Sequence, residues 1–267
     1  MSPRSDYPCA PDPAPPLLGD GDPPPLDRLN AEGRAPLLLV CDHASRRVPA
    51  ALGRLGLDEA ASALHIASDI GAAGVTRRLS ARLDAAALLA GYSRLVIDLN
   101  RGLDQPTLIA ESSDGIAIPG NCGLTPGARS ARIEALYRPW HRAVASELRR
   151  LDGRGGGAPA ILLGIHSFTP EMNGRARPWQ VGVLWDDPCR LARPLMAALA
   201  GQGLTVGDNE PYTARNPSGG TLETHGLQTG RPGVSVEIRQ DLIADAAGQA
   251  AWAGRLAAAL RDLLCPT

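Results

Sequence analysis

Short runs that are aliphatic at nearly every position constrain this chain most. They fall at residues 36–41 (PLLLVC), 86–91 (AALLAG), 94–99 (RLVIDL), 160–163 (AILL) and 234–236 (VSV), with shorter runs at 179–185 and 204–207. A strand with one wet face alternates apolar and polar residues, whereas a strand buried on both faces does not. Between the runs lie stretches with helical spacing. After Ser68-Asp69, Val75, Leu79 and Leu83 share one face and Arg77, Arg78 and Arg82 the other. From Pro126, the residues Ile133, Leu136, Trp140, Val144 and Leu148 form a second stripe, and 188–200 and 245–264 read as further helices. Strands and helices alternate, so the expected class is α/β. We expect a single domain with a mixed, mostly parallel sheet and helices on both faces. A chain of 267 residues is long enough for that core. Residues 1–34 are rich in Pro, Asp and Gly without periodicity and read as an N-terminal arm, leaving 35–267 as the domain.

Several function classes are excluded or disfavoured. A net charge of −1 gives no general attraction to nucleic acid or anionic membrane. No apolar run approaches the roughly 20 residues of a membrane span. Five cysteines at irregular spacing, with no C-x-x-C, argue against a disulfide framework or a structural zinc knuckle. No secretory leader is visible, so a soluble cytoplasmic protein is expected. Phosphate-binding loops, dinucleotide fingerprints, the G-x-S-x-G elbow and H-E-x-x-H are all absent.

Three aliphatic runs end in ionisable residues. The first leads into Asp42-His43, the second into Gly164-Ile165-His166-Ser167, the third into Glu237-Ile238-Arg239. Ligands bind at the carboxyl ends of strands in open α/β sheets. Two histidines and a carboxylate there meet the count of a catalytic metal site, which keeps one position open for water. A carboxylate outside the ligand set can then move the proton. The alternative is a set of structural ion pairs at strand ends. Asp69, just before a helix, suits either a metal or the helix N-terminus. Asp98, Asn100 and Arg101 either close a strand through an Asp98–Arg101 pair or face a ligand. The loop 102–125 is long enough to wall a site, and 169–178 is a second polar loop. His141, alone on its helix, reads as a packed or surface residue.

Taken together, Cys41-Asp42-His43-Ala44-Ser45, the stretch from Ser93-Arg94 to Asn100-Arg101, Gly164-Ile165-His166-Ser167-Phe168-Thr169-Pro170, Asn209-Glu210-Pro211-Tyr212 and Val236 to Leu242 resemble the N-formylglutamate amidohydrolase family, in the family's order. That family is similar to the zinc carboxypeptidases. The resemblance implies a carboxypeptidase-like fold in which His43 and His166 bind zinc, although histidine and carboxylate ligands also suit other divalent ions, and Glu237 is general base and acid. It implies that Asn100 and Arg101, with Arg239 as a further arginine, hold the carboxylates of a small anionic substrate. The carboxypeptidase H-x-x-E is broken here, because Arg46 stands where the Glu belongs. Asp69 is therefore the expected third ligand and Asp42 the second choice. Arg94 is expected to polarise the carbonyl or bind a carboxylate; Tyr212 and His225 are expected in the pocket. The implied activity is hydrolysis of N-formyl-L-glutamate to formate and glutamate, closing histidine degradation. The rivals are a related amidase or peptidase and a metal-free carboxylate-binding protein.

Overall fold

The computed structural model describes residues 16–152, 158–186, 190–215 and 218–264. The glycine-rich stretch 153–157, which reads from the sequence as a flexible connection, lies outside the described residues. The chain opens with β1 (Leu26–Leu29) and β2 (Leu37–Cys41), then α1 (Glu59–Ser62), α2 (Ala72–Leu83) and β3 (Ala86–Ala90). A small hairpin, β4 (Ser112–Ser113) and β5 (Ile116–Ala117), precedes α3 (Pro126–Arg132), a π-turn and α4 (Arg138–Asp152). Then come β6 (Ile161–Phe168), the hairpin β7 (Glu171–Met172) and β8 (Arg175–Ala176), β9 (Val181–Leu184) and α5 (Ala192–Ala200). The chain closes with β10 (Val206–Asp208), α6 (Thr221–His225), β11 (Gly233–Arg239) and α7 (Ala246–Leu264).

Seven strands form one sheet in the order β1-β3-β2-β6-β11-β9-β10. The central four, β3, β2, β6 and β11, are parallel; β1 runs antiparallel to β3, and β9 runs antiparallel to β11 but parallel to β10. Side chains of β2 show why its run is apolar throughout. Leu37, Leu39 and Cys41 join one buried cluster with α2, α5 and α7; Leu38 and Val40 join another with α4 and Trp140. Both faces are covered by helices, as the aliphatic runs imply.

Two expectations change. Residues 95–99 are buried but turn instead of pairing. Ser93 Oγ accepts from the Leu95 amide and Ser93 O from that of Val96, so the run is apolar because it packs under the sheet's end. The segment 1–34, expected as an arm, contributes β1, antiparallel to β3 from Leu26↔Ala90 to Leu29↔Ala87; residues 1–15 lie outside the described set. Pro23, Pro24 and Pro25 lead into β1 and lack a ladder donor, which an outermost strand tolerates. Pro25 O accepts from Gly91 N and Pro23 O from the Tyr92 hydroxyl.

Candidate metal centre

Parallel pairing brings the carboxyl ends of β2, β6 and β11 to one edge. In the β6–β11 register His166 lies directly opposite Glu237, so both side chains leave the same face. His43 follows β2. Its carbonyl accepts from the Asp69 amide, which fixes the Asp69 backbone beside it. Asp69 is not a helix cap. α2 starts at Ala72 after Gly71, which sits at φ +80° where a Cβ would lie 2.1 Å from Ile243 O. The Asp69 side chain is thus free to turn inward.

His43 Nδ1 and His166 Nδ1 both meet Asp69 Oδ2, at 3.3 and 2.9 Å. One ligand atom from each of the three residues lies within 4.8 Å of the others, and all three are buried. In a tetrahedral zinc site with bonds of ~2.0–2.1 Å, ligand atoms stand about 3.3 Å apart. Two imidazole nitrogens and one carboxylate oxygen at these separations fit a catalytic divalent ion. Each imidazole is also backed by a carboxylate on its other nitrogen: His43 Nε2 by Asp98 at 2.8 Å, His166 Nε2 by Asp42 at 3.3 Å. Such outer carboxylates orient metal-binding histidines and raise their basicity. Asp42, the second choice for third ligand, therefore stands behind His166 and takes a short hydrogen bond from the Thr221 hydroxyl.

Asp98 is held by His43, by Arg94 Nε and a terminal Arg94 nitrogen at 3.2 and 2.7 Å, and by Asn100 N at 2.9 Å. The considered Asp98–Arg101 pair does not form. Arg94 also stands 3.5 Å from Asp69 Oδ1 and lines the cavity. Asn100 Oδ1 accepts from Thr221 N at the start of α6. Arg101 lines the cavity, and among the described residues no carboxylate pairs with it.

Burial pushes the Glu237 carboxyl up to about 7, with Asp69 adding to the rise and His166, His43 and Arg94 opposing it. Its Oε2 is buried without a hydrogen-bond partner among the described residues. Burial alone raises Asp69, but the His43 and His166 imidazoles outweigh it and hold Asp69 well below the usual carboxylate range. Burial and Arg94 depress His43, yet Asp98 and Asp69 leave it net raised. Burial depresses His166, and hydrogen bonds to Asp42 and Asp69 raise it well above its ordinary value.

These directions set a test. Raised histidines stabilise the metal-free fold fully below their unfolded pKa of about 6.5 and lose that contribution as pH rises through the folded values. The raised Glu237 acts with the same sign above about 4.5. Metal binding requires deprotonated imidazoles. In chelator, the melting temperature should fall between pH 6 and 9. Added zinc should raise it by an increment that grows with pH. A metal-free melting temperature that climbs across this range would contradict the paired imidazoles.

A cavity of about 610 Å³ opens from the centre, within the usual range of small-molecule sites. The 102–125 segment walls it with Ser112, Ser113 and Asp114, as its length implies. Tyr212 lines it too. Gly182, opposite Glu237 in the β9–β11 register, makes this possible: a Cβ there would lie 1.9 Å from Glu210 O. His65, unmarked in the sequence, lines the wall and meets Asp114 at 2.6 Å. The two are 49 residues apart and no local pattern joins them.

Two expected residues are elsewhere. Arg239 turns from the cavity to Asp241, at 2.8 and 3.2 Å. His225 sits on α6 against α4, its Nε2 2.9 Å from His141 Nδ1 with the rings stacked at 5.1 Å. Burial and His141 lower its pKa to about 4.

Comparison with known proteins gives the family. The N-formylglutamate amidohydrolase family model matches residues 35–244. N-formylglutamate deformylase of Pseudomonas aeruginosa is 28% identical over 260 residues, covering 87% of this chain and 91% of that protein. The crystal structure of an Agrobacterium tumefaciens gene product is 37% identical, with a TM-score of 0.87 over 92% of this chain and 98% of the other. N-formylglutamate amidohydrolase from Ralstonia eutropha shares the fold at 21% identity and a TM-score of 0.66, over 90% of this chain and 97% of that one. No described helix is long and apolar enough to cross a membrane. Motifs, matched span and strand-end geometry agree: the chain belongs to the N-formylglutamate amidohydrolase family.

Proposed function

We propose that this enzyme is a zinc-dependent deformylase that hydrolyses N-formyl-L-glutamate to formate and L-glutamate, the closing step of histidine degradation in the cytoplasm. The observation that carries the reading is Glu237. It is a buried carboxyl whose Oε2 has no partner among the described residues, placed by strand register beside His166 and outside the His43–Asp69–His166 set. A carboxylate so placed can take up a proton and return it. The His43–Asp69–His166 donor set would hold the ion, and zinc suits two nitrogens and one carboxylate oxygen. A bound divalent ion supplies the Lewis acidity that activates water and polarises an amide carbonyl.

The protein's own groups do the rest. Glu237 takes one proton from the attacking water as its oxygen bonds to the formyl carbon. It returns that proton to the amide nitrogen as the C–N bond breaks, so formic acid and a neutral amine leave, and the acid's proton passes to the more basic amine to give formate and the ammonium form of glutamate. Asp98 and Asp42 keep the imidazoles oriented, and Arg94 fixes Asp98 and Asp69 together. Arg101, the cavity arginine without a carboxylate partner, binds a substrate carboxylate, and a bidentate guanidinium suits that group.

Formate release from N-formyl-L-glutamate, compared with the N-acetyl and N-succinyl analogues in protein of measured zinc content, tests the reading. Preference for the formyl compound, lost on chelation and restored by zinc, is expected. Arg101→Gln should lower kcat/KM about 10- to 100-fold, mostly through KM, as expected for a lost charge-assisted contact. Zinc-loaded protein that releases no formate, or works best on a longer acyl group, would displace this substrate.

A further inference from the structure

Two arginines are buried without a carboxylate in ion-pair reach among the described residues, Arg132 and Arg177. Arg132 is held by oxygen: Val96 O, Gly120 O and Asn121 Oδ1 accept from it. Arg177, 9% exposed just beyond β8, is served less well. One terminal nitrogen meets Thr169 Oγ1 and the Tyr212 hydroxyl, each at 3.2 Å, and Thr169 O at 3.5 Å. The other has only the thioether sulfur of Met172, a weak acceptor. The guanidinium lies 5.1 Å from the Tyr212 ring centre and 5.8 Å from that of Phe168. A cation taken out of water is normally paired, so this one is short of an anion.

Its surroundings say where that anion comes from. Met172 and Tyr212 both line the reaction cavity, so Arg177 stands one side chain behind the wall. Met172 is an unbranched, adaptable side chain, and Tyr212 is 41% exposed. The arginines that line the cavity itself are Arg94 and Arg101. Arg94 is committed to Asp98 and Asp69, which leaves Arg101 alone. An N-acylated acidic amino acid brings two carboxylates.

We propose that Arg177 determines specificity at this site: with Met172 displaced, its guanidinium binds the side-chain carboxylate of the substrate while Arg101 takes the α-carboxylate. The proposal rests on the deformylase reading for its substrate class. It differs from that reading in assigning acidic selectivity to a residue behind the cavity surface.

The test pairs N-formyl-L-glutamate with N-formyl-L-glutamine, which has the same shape without the charge. The zinc-loaded wild type should prefer the glutamate compound. Arg177→Met should lower kcat/KM for it about thirtyfold, chiefly through KM, and change the glutamine compound by about twofold or less. Arg177→Lys keeps the charge beside both rings and should retain most of the preference. It serves as the deciding variant if Arg177→Met does not fold. Equal losses on both substrates would mean that Arg177 only supports the β7–β8 hairpin and Tyr212, and would overturn the proposal. So would an unchanged preference in Arg177→Met, or a Lys variant of wild-type melting temperature that loses the preference. Those outcomes leave the deformylase reading intact, whereas a wild type that hydrolyses neither compound sinks both.

Discussion

Glu237→Gln should reduce kcat about a thousandfold while the protein still loads one zinc per chain. Removing a general base costs about 10²–10⁴ in rate. Glu237 stands outside the His43–Asp69–His166 donor set, so metal content should hold. The amide is nearly isosteric, and Glu237 Oε2 has no donor among the described residues to lose. The carboxyl is raised to about 7 chiefly by burial, so at pH 8 the metal-free fold bears the cost of ionising it. The sign follows. A carboxyl with a raised folded pKa costs stability as pH rises from about 4.5 through 7, and glutamine removes that cost. Metal-free Glu237→Gln should therefore melt higher than wild type at pH 8, by the equivalent of roughly 1–3 kcal/mol, and match it near pH 4.5. Calorimetry in chelator, beside formate release in zinc, reads both halves. A variant that turns over normally removes Glu237 from proton transfer; one that loses its zinc makes Glu237 a ligand instead.

Asp69→Asn should abolish the centre, and Asp42→Asn should only weaken it. Asp69 Oδ2 is the atom on which His43 Nδ1, His166 Nδ1 and the Ser167 amide converge. An amide there is a poor ligand and places a donor against two donors. In the metal-free protein it also leaves two buried imidazoles without their shared anion, a change of about 3–5 kcal/mol for a broken buried pair. We expect no zinc after dialysis, no measurable turnover and a lower melting temperature. Among the described residues, the Asp42 carboxylate meets the rear nitrogen of His166 and the Thr221 hydroxyl. Its replacement should weaken zinc binding by about 10- to 100-fold, the usual effect of losing an outer carboxylate, with the bound ion still supporting turnover. Competition titration with a chromogenic chelator distinguishes the two. If Asp42→Asn loses the metal outright and Asp69→Asn keeps it, the ligand assignment is reversed.

Strand ends were the legible part of the site. His43, His166 and Glu237 each follow a buried aliphatic run, and parallel pairing must bring such ends together. Asp69 was legible as a carboxylate near a helix start, but its choice between cap and ligand depended on Gly71 and on contact with Ile243, 172 residues downstream. Arg239 was expected at the carboxylates from the family resemblance alone, and a residue two positions from Glu237 on a strand would share its face. The strand ends there, and Asp241 draws the guanidinium aside. His225 and His141 are 84 residues apart in sequence, and a stacked pair at that range has no local signature. The 94–99 run shows the limit of hydropathy: it reports burial, and a buried turn is as apolar as a buried strand.

The strand found inside the proline-rich segment also bears on solubility. β3 reads AALLA and is buried at all five positions, with β1 occupying its outer hydrogen-bonding side. A chain cut before Ala35 would keep every residue of the proposed metal centre and cavity. It would also present β3 as a bare aliphatic template with open backbone donors and acceptors, the kind of border along which sheets join between molecules. The short strand at Leu26–Leu29, with prolines beside it, thus acts as a gatekeeper against self-association, remote from the reaction it accompanies.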